Sequence, residues 1–180
     1  MNDIKTILQQ ASLGSAVRIF RSGLEDGWAD GYLVATGSEF FALHLVDKGI
    51  RLDGFNCFRY SDVTSTELPA PYSSFMNRVL RLRGERIADS FPFDLSTIGA
   101  LLRDAGRAYP LVALHLESAD PHVFDVGKIL SVGDHEVSIQ SITPAGEWLD
   151  DVETYALSDI SRVDFGGAYE EALMLAAGAD

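Results

Sequence analysis

The chain contains two similar stretches whose starting points lie 97 residues apart. LDGFNCFRYSDV begins at Leu52, and LDDVETYALSDI begins at Leu149. The similarity extends upstream, where GYLVATG at 31–37 resembles GKILSVG at 127–133 at an offset of 96. Self-similarity held over so many positions indicates a repeated structural unit. The sequence therefore predicts two copies of one fold.

Both copies show the same order of predicted elements. Apolar runs of alternating or continuous type predict five strands in each copy, with a helical segment before and after them. The helices are predicted at 2–11, 72–83, 94–106 and 169–177. The strands are predicted at 15–21, 28–36, 39–46, 54–60, 63–68, 110–117, 123–132, 135–142, 151–157 and 160–165. Asp3 and Asp94 are predicted to cap the two opening helices, because an aspartate oxygen accepts N–H groups of a first turn.

This order of elements and the internal repeat resemble tandem Sm-like (Lsm-like, SH3-type) barrel proteins of bacteria. The resemblance lies in element order and includes no functional motif. It implies a mainly β (α+β) chain of two five-stranded barrels, each with an N-terminal helix and a C-terminal helical segment. The predicted units are residues 1–86 (the first half) and 94–180 (the second half), joined by a packed connector at 87–93. We expect the barrels to pack through strand edges or terminal helices, since open edges need covering.

The charge of the chain is distributed unevenly. Residues 1–90 carry 11 acidic and 10 basic side chains, whereas residues 91–180 carry 16 acidic and four basic ones. A surface this acidic repels phosphate backbones, which argues against nucleic acid as the main partner. A basic surface of another protein is a more suitable partner for it.

The compartment is predicted from what the sequence lacks. No stretch reaches the roughly 18 apolar residues that span a bilayer, and MNDIKTILQQ at the N-terminus lacks the apolar core of a signal peptide. Cys57 is the only cysteine, which excludes an intramolecular disulfide and fits a reducing cytoplasm. We interpret Cys57 as a buried core residue, because it lies in an alternating apolar run.

Trp148 and the acids around it are the first candidate binding site. Trp148 lies in PAGEWLDD, and its counterpart in the first half is Arg51, so the shared fold does not require this aromatic. Large aromatic side chains near loops often anchor partners, and packing against the first barrel is the alternative. The neighbouring acids would attract a cation or a basic protein surface: Glu147, Asp150 and Asp151.

A cluster of arginines is the second candidate site. It comprises Arg78, Arg81 and Arg83, followed by Arg86. These side chains would bind a phosphate or an acidic partner, or they would pair with the acids of the second half. Sm-like proteins recognise RNA bases through an Asn and a later Arg-Gly, and here Asn77 and Arg83–Gly84 resemble that pair. The family places a strand pair between the two, however, whereas here Arg83 follows Asn77 by only six positions.

No catalytic, cofactor or metal site is predicted. Asp53, Asp62, Asp150 and Asp159 recur at equivalent turn positions, which duplicated turn chemistry explains without catalysis or a divalent ion. His44, His115, His122 and His135 lack metal-ligand spacing. The leading hypothesis is a non-enzymatic cytoplasmic adaptor that binds another protein through its acidic surface. The alternatives are an Lsm-like RNA-binding protein, an immunity-type neutraliser of a basic toxin, an enzyme, and a homo-oligomer.

Overall fold

The computed structural model describes residues 3–117 and 124–178, and these form a mainly β fold with helices. The helices are α1 (Ile4–Gln10), α2 (Ser73–Arg83), α3 (Ile98–Ala108) and α4 (Ala168–Ala177). The strands are β1 (Ala16–Phe20), β2 (Ala29–Thr36), β3 (Phe40–Val46), β4 (Leu52–Arg59), β5 (Ser65–Glu67), β6 (Val112–His115), β7 (Phe124–Val132), β8 (Glu136–Ile142), β9 (Trp148–Ala156) and β10 (Arg162–Phe165). Single 3-10 turns at Tyr60–Asp62 and Leu157–Asp159 precede β5 and β10.

These strands form one antiparallel sheet in the order β5-β1-β2-β3-β4-β10-β6-β7-β8-β9. The first five places are filled by the first half, and the second half follows in the equivalent order. Shifts in the strand-pairing register also fall at equivalent positions of the two halves. One lies between Leu33 and Ala35 in β2, and the other between Ile129 and Ser131 in β7. The two halves therefore meet at a single seam, where β4 lies beside β10.

The expectation of two closed five-stranded barrels is wrong. Closure would require β5 to pair with β4, and β10 to pair with β9. Instead, Phe55–Phe58 of β4 pair with Arg162–Phe165 of β10, and β5 pairs with β1 alone among the described strands. Val163 and Phe165 of β10 are buried, so this pairing continues the apolar core across the seam. Burial of that strand against the other half favours one open sheet.

The largest core cluster lies at the seam and draws on both halves. α3 contributes Leu101 and Leu102, the first half contributes Phe40 and Cys57, and β10 contributes Val163. Cys57 is fully buried there, and burial raises the pKa of its thiol. This thiol is therefore a core group, protonated at neutral pH.

The connector between the halves is packed on this core. Phe91 and Phe93 lie with their ring centroids 4.8 Å apart, and Phe93 lies 5.2 Å from Phe165. Ala88 donates its N–H to Nδ1 of His44 at 3.2 Å. The segment 87–93 is thus held by both halves.

The opening helix of the second half starts later than its sequence predicts. Thr97 is the N-cap of α3, and its hydroxyl accepts the N–H of Ala100 at 3.2 Å. Asp94 instead accepts the N–H of Ser96 at 2.8 Å, and Asp3 makes no side-chain cap bond to α1. The predicted cap at Asp94 is therefore wrong, because Thr97 caps the helix three residues later. Asp3 does occupy the N-cap position of α1, although its side chain makes no bond there. No helix in the described ranges is long and apolar enough to cross a membrane.

Candidate functional site

β9 lies at one end of the sheet and is the longest exposed edge in the described chain. β8 pairs with one of its edges, from Ile142 opposite Trp148 to Glu136 opposite Ala156. No strand of residues 3–117 and 124–178 pairs with its other edge. The free N–H and C=O groups of an edge strand are a template for another strand. Nine residues long, β9 offers an extended template.

The side chains of β9 are partly apolar, partly acidic and mostly exposed. Trp148, Leu149 and Val152 are 37%, 40% and 56% exposed, although side chains of this kind are usually buried. An exposed apolar group bordered by charges is typical of an interaction surface. The binding residues predicted from sequence here lie next to one another and are exposed: Glu147, Trp148, Asp150 and Asp151.

The counterpart of β9 in the first half is β4, and its outer edge is covered. Residues Phe55–Phe58 of β4 pair there with Arg162–Phe165 of β10, antiparallel. At the repeat offset of 97, the covered part of β4 corresponds to residues 152–155 of β9. The free edge of β9 is therefore equivalent to an edge that this fold elsewhere fills with an antiparallel strand.

The arginine cluster lies on α2, apart from β9. Arg78 and Arg81 are exposed and form no ion pair with another described residue. Arg83 donates to the backbone carbonyls of Gly49 and Ile50 in its own half. Pairing of these arginines with acids of the second half is not seen in the described ranges. The structure thus separates the two candidate sites that the sequence suggested.

Asn77 and Arg83, which resemble the base-recognition pair of Sm-like proteins, both lie on α2. Asn77 accepts a hydrogen bond from the Tyr32 hydroxyl at 2.6 Å through its Oδ1. Arg83 is engaged with the β3–β4 hairpin, as described above. Each residue therefore has a structural role in the first half, and the two do not form a base pocket between strands.

Sequence reasoning missed a buried group of charges that joins the halves. Arg21 is fully buried and donates to Glu117, and also to Glu25 at 2.9 Å. Nη1 of Arg162 lies 3.2 Å from Oε2 of Glu25, and its Nη2 lies 2.8 Å from Oδ2 of Asp164. Arg21 and Glu25 belong to the first half, whereas the other three belong to the second. No local pattern signals these pairs, because up to 137 residues separate the partners.

His115 completes this charged group. Its Nε2 lies 2.8 Å from Oδ2 of Asp164. Burial alone would raise the pKa of the Asp164 carboxyl, but Arg162 and His115 hold that pKa below its ordinary value. Asp164 therefore remains ionised at neutral pH and is bound from two sides. The arrangement fixes β10 against β6 and the first half.

The repeated aspartates and the histidines have individual surroundings. Asp53 accepts the N–H of Ala168 at 2.7 Å, whereas its counterpart Asp150 is exposed. Asp62 and Asp159 each accept a bond at 3.0 Å from the serine before them. Burial lowers the pKa of His44; His135 is exposed, and His122 lies outside the described residues. Among the described residues, no three His, Cys, Asp or Glu side chains are placed to hold a metal ion.

Comparison of this chain with protein-family models, curated proteins and solved structures found no match.

Proposed function

We propose that the chain is a cytoplasmic protein-binding adaptor, and that a strand of its partner adds to the outer edge of β9. The observation that carries this proposal is that edge, which is nine residues long and has no partner strand among the described residues. Addition of a strand to an exposed sheet edge is a recurring mode of recognition. The equivalence with β4, which takes up β10, supports the same use of β9. The single buried Cys57 supports a reducing compartment.

The side chains of β9 define the chemistry of the partner. Asp150 and Asp151 favour lysine or arginine at the neighbouring positions of the added strand. Trp148 and Val152 favour apolar side chains at the positions that face them. The geometry at β4 suggests an antiparallel strand opposite residues 152–155. A basic protein with an exposed strand or an extended segment fits this description.

A second copy of the chain is a poorer fit to the same edge. The strand equivalent to β10 is β5, which would place Ser65–Glu67 opposite residues 153–155. Glu67 would then lie opposite Glu153, and like charges directly opposite each other destabilise a strand pair. β5 is also only three residues long. Charge and length therefore favour a different protein over self-assembly.

Replacing Trp148 by alanine should weaken the complex by about 2 kcal/mol, or roughly 30-fold in Kd. A buried aromatic anchor of an interface typically contributes this much. The partner is first captured from native cells with the tagged chain after ribonuclease treatment, and Kd is then measured by calorimetry. Trp28→Ala is the matched control, because Trp28 is the other tryptophan of the chain and is exposed in the first half. We expect this variant to bind like the natural chain.

Hydrogen exchange on the same complex tests the geometry. Those amides of residues 148–156 that point away from β8 should exchange more slowly when the partner is bound, because an added strand hydrogen-bonds them, whereas amides already bonded to β8 should change little. The proposal would be contradicted if the Trp148→Ala variant captured the partner as well as the natural chain does. It would also be contradicted if the partner protected amides of other strands only. A partner lost with ribonuclease would favour RNA binding, and capture of only the chain itself would favour the homo-oligomer.

The double change Asp150→Asn, Asp151→Asn should slow association with a basic partner about tenfold at low salt. The two carboxylates steer a cationic strand toward β9, and this attraction is screened as salt rises. Association rates at several salt concentrations would show the effect as a flatter salt dependence. The control Asp26→Asn, Asp89→Asn removes the same charge from exposed positions of the first half. Equal slowing in both double variants would point to net charge alone.

A further inference from the structure

A cavity of about 300 Å³ lies where α2 ends, between the helix and residues 84–87. The side chains of Asn77, Arg81, Glu85 and Arg86 form its polar lining. The cavity belongs to the first half and shares no residue with the β9 edge. Part of the arginine cluster thus surrounds a space to which strand addition at β9 gives no role.

The amide of Asn77 is held in one orientation by a buried tyrosine. Its Oδ1 accepts the Tyr32 hydroxyl at 2.6 Å, and Tyr32 is only 1% exposed. Burial raises the pKa of Tyr32, so the hydroxyl keeps its proton and remains the donor. An amide whose oxygen is engaged in this way still has two N–H groups to donate, and no described residue accepts them from Asn77. Asn77 therefore brings free hydrogen-bond donors to the cavity that it lines.

The charge that is left unpaired around the cavity is positive. Glu85 is the acidic residue of the lining, and its carboxylate accepts Nη1 of Arg51 at 3.1 Å and the N–H of Leu52 at 2.7 Å. Arg81 and Arg86 are exposed, and neither forms an ion pair with a described residue. Two guanidinium groups without a counter-ion match an anion that carries two charges.

The backbone at the end of α2 does not outweigh these two charges. The N–H groups of Gly84 and Glu85 bond to the carbonyls of Arg81 and Leu80, so part of the last turn is already satisfied. The partial negative charge of a helix C-terminus amounts to roughly half an elementary charge. The positive charge of the two guanidinium groups is therefore the larger effect.

The shared fold does not require these side chains. At the repeat offset of 97, Met174 of α4 corresponds to Asn77, and Gly178 corresponds to Arg81. α4 packs on the core of the second half through Leu173 and Met174, without an amide or a guanidinium at these positions. The donors around the cavity are therefore particular to the first half.

Exposed apolar side chains lie beside the arginines on α2. Phe75 and Leu82 are 48% and 79% exposed. Phe75 precedes Arg78 by three positions and Leu82 follows it by four, which places all three along one side of the helix. Side chains of this kind are usually buried. They favour a ligand that continues beyond its anionic group into an apolar segment.

We propose that this cavity binds the phosphoryl group of a phosphate monoester. Arg81 and Arg86 pair with its oxygens, since guanidinium groups bind phosphate through parallel N–H···O bonds, and the Asn77 amide donates to it. A monoester carries about 1.5 to 2 negative charges at neutral pH, whereas a carboxylate or a phosphodiester carries one. This site is independent of strand addition at β9, and either proposal stands if the other fails.

Calorimetric titration of the full chain at low salt tests this with n-butyl phosphate and, as a monoanion of similar length, pentanoate. We expect n-butyl phosphate to bind with a Kd on the order of 1 mM or tighter, as suits a ligand of so few atoms, and pentanoate to bind at least about fivefold more weakly. Arg81→Gln and Arg86→Gln should each weaken phosphate binding about tenfold, because each removes a charge-assisted hydrogen bond.

Arg107→Gln is the matched control for these two variants. It removes the same charge from an exposed position of α3 and should leave phosphate binding unchanged. The proposal would be overturned if n-butyl phosphate did not bind, or if pentanoate bound as tightly. Equal losses in the Arg107→Gln and Arg81→Gln variants would also overturn it, because net charge alone would then be responsible.

Asn77→Asp separates the donor role of the amide from its structural role. The aspartate keeps an oxygen for the Tyr32 hydroxyl but replaces the N–H donors by a second, negatively charged oxygen. Phosphate affinity should fall at least about tenfold, and unfolding in urea gives the folded fraction to which that affinity refers. Unchanged phosphate affinity per folded molecule would overturn the assignment of Asn77.

The acetylated tripeptide leucine-phosphoserine-leucine identifies the source of the phosphoryl group. Tighter binding of this peptide than of n-butyl phosphate would indicate a phosphorylated segment of a partner protein, with its apolar side chains against Phe75 and Leu82. Equal or weaker binding would indicate a free phosphorylated small molecule. Both results support the phosphate site, whereas tighter binding of an oligouridylate than of either ligand would indicate phosphodiesters and overturn it.

Discussion

Replacing Arg21 by methionine should lower the free energy of unfolding by about 3 to 5 kcal/mol, because it removes the closest charged partner of the buried Glu117 carboxylate and leaves only the more distant Arg162 and His115 beside it. Arg21 is fully buried between Glu117 and Glu25, and its guanidinium lies over the ring of Phe58. Methionine fills similar apolar volume but removes the charge and the hydrogen-bond donors. Equilibrium unfolding in urea, followed by circular dichroism, would measure the loss.

Two further variants show whether the ion pair itself is responsible. Adding Glu117→Leu to Arg21→Met should recover at least about 1 kcal/mol, since the buried carboxylate that has lost its closest partner is then gone. Arg51→Met removes an exposed arginine paired with Glu85 and should cost less than about 1 kcal/mol. A loss for Arg21→Met no larger than that for Arg51→Met would contradict a buried ionic link between the halves.

Replacing Gly37 by alanine should lower the free energy of unfolding by about 2 to 3 kcal/mol through overpacking. Gly37 lies in the β2–β3 turn, and a Cβ there would be 2.4 Å from both the Cβ and the carbonyl oxygen of Leu95. Leu95 is fixed in place, because its carbonyl accepts the N–H groups of Glu39 and Phe40. Because the added Cβ meets backbone atoms of Leu95 and not only the end of a flexible side chain, the clash strains the contact between the halves.

Gly133→Ala is the matched control for Gly37→Ala. Gly133 is the equivalent turn residue of the second half, and its nearest neighbour to an added Cβ is the Glu136 carbonyl oxygen at 3.6 Å. Neither glycine has a left-handed φ, so the two changes differ in surroundings alone. Gly133→Ala should alter stability by no more than about 0.5 kcal/mol. Urea unfolding of both variants compares them directly, and equal losses would show that the docking on Leu95 is unimportant.

The order of the elements could be predicted from sequence, but the closure of the sheet could not. Strand and turn patterns are local, so the stretches around 31–37 and 127–133 indicate equivalent strands in both halves. Which strand covers the edge of β4 depends on a pairing with β10 across roughly a hundred residues. Apolar alternation is the same for a strand that closes its own barrel and for one that joins another half. The sequence pattern therefore does not distinguish one open sheet from two closed barrels.

The candidate sites also had a part that could be predicted from sequence and a part that could not. Glu147, Trp148, Asp150 and Asp151 are contiguous, so their grouping could be predicted, whereas the free edge that makes them a binding template could not. The buried charges at the seam bring Arg21 and Glu25 of the first half together with Glu117 and Arg162 of the second. These residues are far apart in sequence and belong to different halves, and only the pairing at the seam makes them neighbours.

The pairing of β4 with β10 has a consequence during synthesis. Phe55 of β4 meets Phe165 of β10, so the ribosome must add about a hundred residues before the covering strand emerges. At roughly 5 to 20 residues per second this takes on the order of 5 to 20 seconds. Throughout that interval the nascent first half exposes an unprotected strand edge with apolar side chains. A holdase chaperone bound at β4, or translation of the second half without pauses, would increase the fraction of newly made chain that escapes aggregation.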